Sequence, residues 1–120
     1  MNAPNRMDSV IIPEGMSKLT ATVDGKMPNA KTYRFAREDH TLGHLMRMEM
    51  LRDPAVRFAG YKHPHPLEND ILVKVQAAPG STPGVVLSGA LKRLETEVTE
   101  LQSQYRAQLA VARAVDQAFG

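Results

Sequence analysis

Thr82-Pro83-Gly84-Val85-Val86-Leu87-Ser88-Gly89-Ala90-Leu91-Lys92-Arg93-Leu94, continued without a further Pro to Ala118-Phe119, is the stretch that decides the fold. Along it Leu87, Leu91, Leu94, Val98, Leu101, Tyr105, Gln108, Ala112, Val115 and Phe119 recur at alternating steps of four and three, which keeps one narrow seam on the same side of an α-helix. Only Gln108 interrupts it. Thr82 can N-cap the helix, and Pro83 suits the first helical position, where no amide hydrogen is missed. The pattern predicts a helix over residues 82–119, roughly 55 Å long at about 1.5 Å per residue. The strands available upstream have about 5 to 7 residues, or roughly 17 to 24 Å each. A helix of that length overhangs its own sheet. Its apolar seam either sits in water or lies against another chain, and the second arrangement costs far less free energy. A protein partner is therefore the first expectation.

Length and composition set the bounds. A chain of 120 residues with 42% hydrophobic residues suits one domain with one modest core. With three Phe, three Tyr and no Trp, that core must be filled by Leu, Val, Ile, Met and Ala. The lack of Cys excludes disulfides and thiolate zinc sites and fits a reducing compartment. No apolar run approaches the roughly 20 residues needed to cross a bilayer, and Met1 to Pro13 lacks the basic start and long apolar middle of a signal peptide. The expectation is a soluble intracellular protein without a membrane role. A formal charge of +2, with scattered Lys and Arg, gives little nonspecific grip on nucleic acid.

Taken in order, the chain begins with a polar lead, residues 1–17, carrying a short apolar patch at Val10, Ile11 and Ile12. That patch either covers a neighbouring surface or belongs to a disordered end. The domain proper is expected over 18–120. Leu19, Ala21 and Val23 alternate with Thr20 and Thr22 as a half-buried strand, which Asp24-Gly25-Lys26 ends with turn chemistry. Thr32 to Ala36 reads as a second strand, antiparallel to the first, with Tyr33 and Phe35 on one face. Asp39 or Thr41 can cap a helix running to about Arg52, which Asp53-Pro54 stops. On it Leu42, Leu45, Met46 and Met50 share a face, and Glu49 lies inside that stripe. A carboxylate is costly to bury alone, so either the strip stays wet or a donor from another chain meets Glu49. Gly43 in the first turn costs roughly 1 kcal/mol relative to Ala. It serves close approach of another backbone or is simply tolerated. Val56 to Tyr61 forms a third strand with Val56 and Phe58 on one face, His63-Pro64-His65-Pro66 a stiff connection, and Ile71 to Ala77 a fourth strand. The order β-β-α-β-β-α is an α+β fold, a small antiparallel or mixed four-stranded sheet covered on one face by two helices.

Catalytic and metal chemistry finds little support. His40 and His44 share a helix face at i, i+4, but Thr41-Leu42-Gly43 between them lacks the acidic base of a zinc protease helix, and His63 and His65 point opposite ways. No nucleophile elbow or phosphate-binding glycine spacing is present. The expectation is a non-enzyme without cofactor or metal.

The middle of the chain resembles a known family. Glu38-Asp39-His40-Thr41-Leu42-Gly43-His44, Leu51-Arg52-Asp53-Pro54, Phe58-Ala59-Gly60-Tyr61-Lys62 and His65-Pro66-Leu67-Glu68 are similar to the signature of the small α-like subunits of RNA polymerase, archaeal subunit L among them. Phe58 to Lys62 and the opening Met1-Asn2-Ala3-Pro4 are more similar to the polymerase II branch than to the one shared by polymerases I and III. His44 and His63 depart from the pattern, which usually has Asn and an apolar residue there. The resemblance implies a nuclear, non-catalytic assembly subunit that pairs with the larger α-like subunit and forms a platform for the second-largest and other polymerase subunits. It further implies that the helix from Thr41 to Arg52 and the long C-terminal helix carry the contact. The expected partner residues are Leu42, Leu45, Met46, Glu49, Met50, Leu87, Leu91, Leu94, Val98, Leu101, Tyr105, Ala112 and Val115. Rival readings are a homodimeric helical adaptor using the same seam and a histidine metal enzyme.

Overall fold

The structure, a computed structural model, describes residues 6–119. The Met1 to Pro4 part of the N-terminal extension and the final Gly120 lie outside the described residues. A short 3-10 turn, Arg6–Ser9, precedes strands β1 (Leu19–Val23) and β2 (Ala30–Ala36), helix α1 (His40–Leu51), strands β3 (Val56–Lys62) and β4 (Asp70–Ala77), and helix α2 (Pro83–Phe119). The four strands form one antiparallel sheet in the order β1-β2-β4-β3.

Alternation along β4 decides which side is core. Ile71, Val73, Val75 and Ala77 are buried under the helices, while Leu72, Lys74 and Gln76 point to the open side. Met46 and Met50 of α1 and Val86, Leu87 and Ala90 of α2 complete the core with Tyr33 and Phe35. β1 pairs through Leu19 with Phe35 and through Ala21 with Tyr33, but it lies at the sheet edge and all five of its residues are exposed. The half-burial expected for this strand is not realised, because the helices lie over the other strands.

The third strand also departs from simple alternation. Its register slips between Val56 and Phe58, so Val56 pairs with Ala77 on the core side and Phe58 with Gln76 on the open side. One extra residue, Arg57, turns the two apolar side chains to opposite faces. The expectation that they share a face therefore fails.

Caps and turns follow the sequence chemistry. Asp39 sits in extended backbone and accepts the Thr41 N–H at 2.9 Å, which makes it the N-cap of α1. Thr82 caps α2 through its hydroxyl, which accepts the Val85 N–H at 3.3 Å. Asn29 adopts a left-handed φ of 54° at the start of β2. Its amide donates to the carbonyls of Ala77 at 3.1 Å, Ala78 at 3.2 Å and Ser81 at 3.0 Å, which ties the sheet to the segment that leads into α2. Asn tolerates that backbone region better than other side-chain-bearing residues.

The overhang read from the seam is real. The radius of gyration is 18.9 Å, against about 14 Å for an ordinary compact domain of this length. The longest dimension is 65 Å.

Candidate functional site

The seam of α2 divides at Leu94. Leu87 is buried in the domain core, and Leu91 and Leu94 are half-buried against it. Beyond them Val98, Leu101, Tyr105, Ala112, Val115 and Phe119 are all exposed, Leu101 and Tyr105 by 66% each. Large apolar side chains in a row along an exposed helix stay in water at a cost, since covering each would recover roughly 1–2 kcal/mol. Leu109 alone among residues 95–119 is even half-buried.

On α1 the predicted stripe separates into two faces. Met46 and Met50 are fully enclosed in the core, and Leu42 packs partly against it. Only Leu45 is exposed, at 44%, and it is joined by Met48 at 45% and Leu51 at 51%. Met48 and Leu51 were missed because the reading followed a single stripe. The available signal was that α1 is apolar on more than one side, which marks a helix covered from two directions.

Glu49 corrects a second expectation. Its side chain is almost completely buried, yet its donors belong to the same chain. Arg93 Nε donates to its Oε1 at 2.8 Å, and Arg52 Nη1 approaches its Oε2 at 3.5 Å while also reaching Glu97 at 3.4 Å. The partner was overlooked because Arg93 lies forty-four positions away and is polar within a helix read for its leucines.

Of the motif residues, Glu38, Asp39, His40, Gly43 and Tyr61 gather where β2 hands over to α1. Glu38 pairs with Lys18 at 2.6 Å. The Tyr61 ring lies over Gly43, where a Cβ would stand 2.4 Å from Cδ2, and the Tyr61 hydroxyl is 3.2 Å from His40 Nδ1. The close approach predicted at Gly43 thus comes from a ring, not a second backbone. Thr41 offers its N–H to the Asp39 cap. His40 and His63 rings have centroids 5.6 Å apart, whereas His44 and His65 are exposed. Phe58 and Gly60 lie on the open side of the sheet, with the Phe58 ring edge over Gly60. His65 and Pro66 belong to a turn in which the Glu68 N–H donates to the His65 carbonyl at 3.2 Å. These residues shape the scaffold and do not converge on a reacting centre. Among the described residues no group of three His, Cys, Asp or Glu is arranged to hold a metal ion, and no helix is long and apolar enough to cross a membrane.

What the domain presents is a supported helix root, an unsupported apolar seam beyond it, and a second exposed apolar strip on α1. That is the surface of a protein that acts by pairing with another polypeptide. Residues 30–104 match the RNA polymerase Rpb3/Rpb11 dimerisation domain. The chain is 36% identical over 115 residues to the DNA-directed RNA polymerase II subunit rpb11 of Dictyostelium discoideum, covering 96% of each chain. It is 40% identical over 102 residues to the probable DNA-directed RNA polymerase II subunit RPB11 of Caenorhabditis elegans, covering 85% of this chain and 83% of the relative. The crystal structure of DNA-directed RNA polymerase subunit L from Thermoplasma acidophilum shares the fold, with a TM-score of 0.60 over 77% of this chain and 90% of that one at 23% identity. The chain belongs to the RNA polymerase Rpb3/Rpb11 dimerisation family.

Proposed function

We propose that this chain is a non-catalytic assembly subunit of DNA-directed RNA polymerase II, working in the nucleus as the smaller half of a heterodimer with a larger α-like subunit. The pair provides the platform for the second-largest and other polymerase subunits. The observation that carries this reading is the seam of α2 from Val98 to Phe119, exposed along its whole length in a chain of a dimerisation family. Leu91, Leu94, Val98, Leu101, Tyr105, Ala112 and Val115 line the contact, extended by Leu45, Met48 and Leu51 on α1. Met46, Met50 and Leu87 support it from beneath as core residues, because they have almost no accessible surface to offer. Obligate interfaces of this kind commonly bury more than about 2,000 Å² and resemble a core cut in half.

The test is co-expression with the larger α-like subunit of the same organism. Leu101→Asp is expected to abolish co-purification, since a carboxylate would be desolvated without a partner. Gln104→Asp, a change at an exposed position outside the seam, is expected to leave pairing intact. Equal behaviour of the two variants would reject the interface, and a stable homodimer by light scattering that ignores the larger subunit would reject the heterodimer.

A further inference from the structure

The exposed half of α2 is a lever, and the point from which it projects is held by charge. Leu94 is the last seam residue packed against the domain core. Immediately before it, Arg93 crosses to α1 and grips Glu49 twice, through Nε to the carboxylate at 2.8 Å and through Nη2 to the backbone carbonyl at 3.5 Å. One turn later Glu97 reaches Arg52, which itself approaches Glu49. Gly89, one turn before Arg93, leaves the guanidinium unhindered, since a Cβ there would stand 3.3 Å from Arg93 Nη1, a tight contact. Thus a glycine, two arginines and two carboxylates on two helices meet where the seam leaves its support.

Geometry makes that location consequential. From Arg93 to Phe119 the helix extends about 39 Å at 1.5 Å per residue, so a tilt of about 10° at its root displaces the tip by roughly 7 Å. Packed helix axes are only about 8–10 Å apart, so such a tilt would unseat the distal half of the seam, Ala112 to Phe119, from a partner. Apolar packing at the root resists separation of the helices but discriminates poorly among small changes of crossing angle. A guanidinium held by both a side-chain carboxylate and a main-chain carbonyl fixes one arrangement.

We infer that Glu49 and Arg93 are positioning residues that aim the overhanging helix, so that their contribution goes to pairing more than to the stability of the domain. This inference rests on the pairing reading above. Glu49 is enclosed while the Arg93 side chain is 42% exposed, so the carboxylate carries most of the desolvation penalty, and replacing such a pair by apolar residues of similar size removes that penalty together with the attraction. The double variant Glu49→Leu with Arg93→Met is therefore expected to unfold at or above the temperature of the unsubstituted chain. Spin labels on Arg47 and Gln117 in the full chain are expected to give a broader distance distribution in that variant. Subunit exchange from the labelled heterodimer is expected to be about tenfold faster or more, the equivalent of one factor of ten in affinity. Arg93→Lys, which keeps the charge but replaces the rigid planar fork with a freely rotating ammonium on a flexible stem, is expected to lie between the two.

Unchanged exchange and unchanged label distances in the double variant would overturn the inference. If the double variant fails to fold, Arg93→Lys decides alone, and exchange at the unsubstituted rate overturns it. Failure of the unsubstituted chain to pair with the larger subunit would instead defeat the proposed function, so the two failures are told apart by the control.

Discussion

The ring of Tyr61 lies across Gly43 so closely that a Cβ on the helix would stand 2.4 Å from Cδ2, 2.7 Å from Cε2 and 2.8 Å from Cγ. Strand β3 and the first turn of α1 are thereby brought nearer than any other residue at position 43 would permit. Helix propensity alone favours Gly43→Ala by about 1 kcal/mol, whereas forcing a methyl group into packed space costs typically about 1–3 kcal/mol. The steric term wins because the neighbour is a ring anchored in a strand. Gly43→Ala is expected to lower stability by up to about 2 kcal/mol in denaturant titration. In the background of Tyr61→Ala the same change is expected to become neutral or stabilising. A Gly43→Ala loss that persists without the ring would refute this explanation.

Asn29 joins the sheet to the segment that leads into α2 by one amide shared among three carbonyls, from a left-handed backbone. Asn29→Gly removes the hydrogen bonds while relieving the backbone, so a loss of roughly 1–2 kcal/mol is expected from these partly exposed bonds. Asn29→Ala loses the same bonds and keeps a side chain in the left-handed region, and should be worse than Gly by roughly 1 kcal/mol. Thermal unfolding of the two variants side by side measures the difference. Ala equal to or better than Gly would mean that the backbone conformation contributes nothing.

Asp24 provides a pH-dependent tie. Its carboxylate lies 2.6 Å from Lys74 Nζ and accepts the N–H groups of Lys26 at 2.7 Å and Met27 at 3.1 Å. The Lys74 bond first, then the two backbone bonds, pull its pKa down to about 2. Because the folded value lies below the ordinary one near 3.9, the stabilisation is fully present above that value and is lost as pH falls toward 2. Asp24→Asn is expected to unfold at a lower temperature than the unsubstituted chain at pH 7, and the gap should close between about pH 4 and pH 2. A gap that stays constant over that range would show that the charge plays no part.

Much of this architecture can be read from the sequence because it is written in local, periodic terms. The α2 seam, the Thr82 and Asp39 caps and the alternation of β4 each depend on neighbours within a few positions, and each is found in the structure. The errors have a common cause. Arg57 shifts the β3 register by one residue, and nothing in Val56-Arg57-Phe58 distinguishes a bulge from an ordinary strand. Arg93 for Glu49, Tyr61 for Gly43 and the carbonyls of Ala77 and Ser81 for Asn29 are all supplied from distant parts of the chain. A periodic pattern reveals which side of a helix is apolar. It does not reveal whether the chain itself or a partner covers that side, and so Met46 and Leu87 were grouped with Leu101.

That ambiguity gives the last prediction, in which two leucines of one seam are expected to behave in opposite ways. Leu87 is 3% exposed and Leu101 is 66% exposed. Truncating an enclosed leucine removes transfer energy and leaves a cavity, so Leu87→Ala is expected to cost the domain about 2–5 kcal/mol. Leu101→Ala leaves no cavity in the free chain, and its unfolding midpoint should be within about 0.5 kcal/mol of the unsubstituted value. In the heterodimer the order reverses, because Leu101 lies where water must be excluded while Leu87 only supports the helix root. Leu101→Ala should weaken pairing by roughly 1–3 kcal/mol, measured as faster subunit exchange. Leu87→Ala, once folded, should pair nearly as well as the unsubstituted chain. If Leu101→Ala instead destabilised the isolated domain as much as Leu87→Ala does, the seam would be sheltered by its own chain and the division of α2 at Leu94 would be wrong.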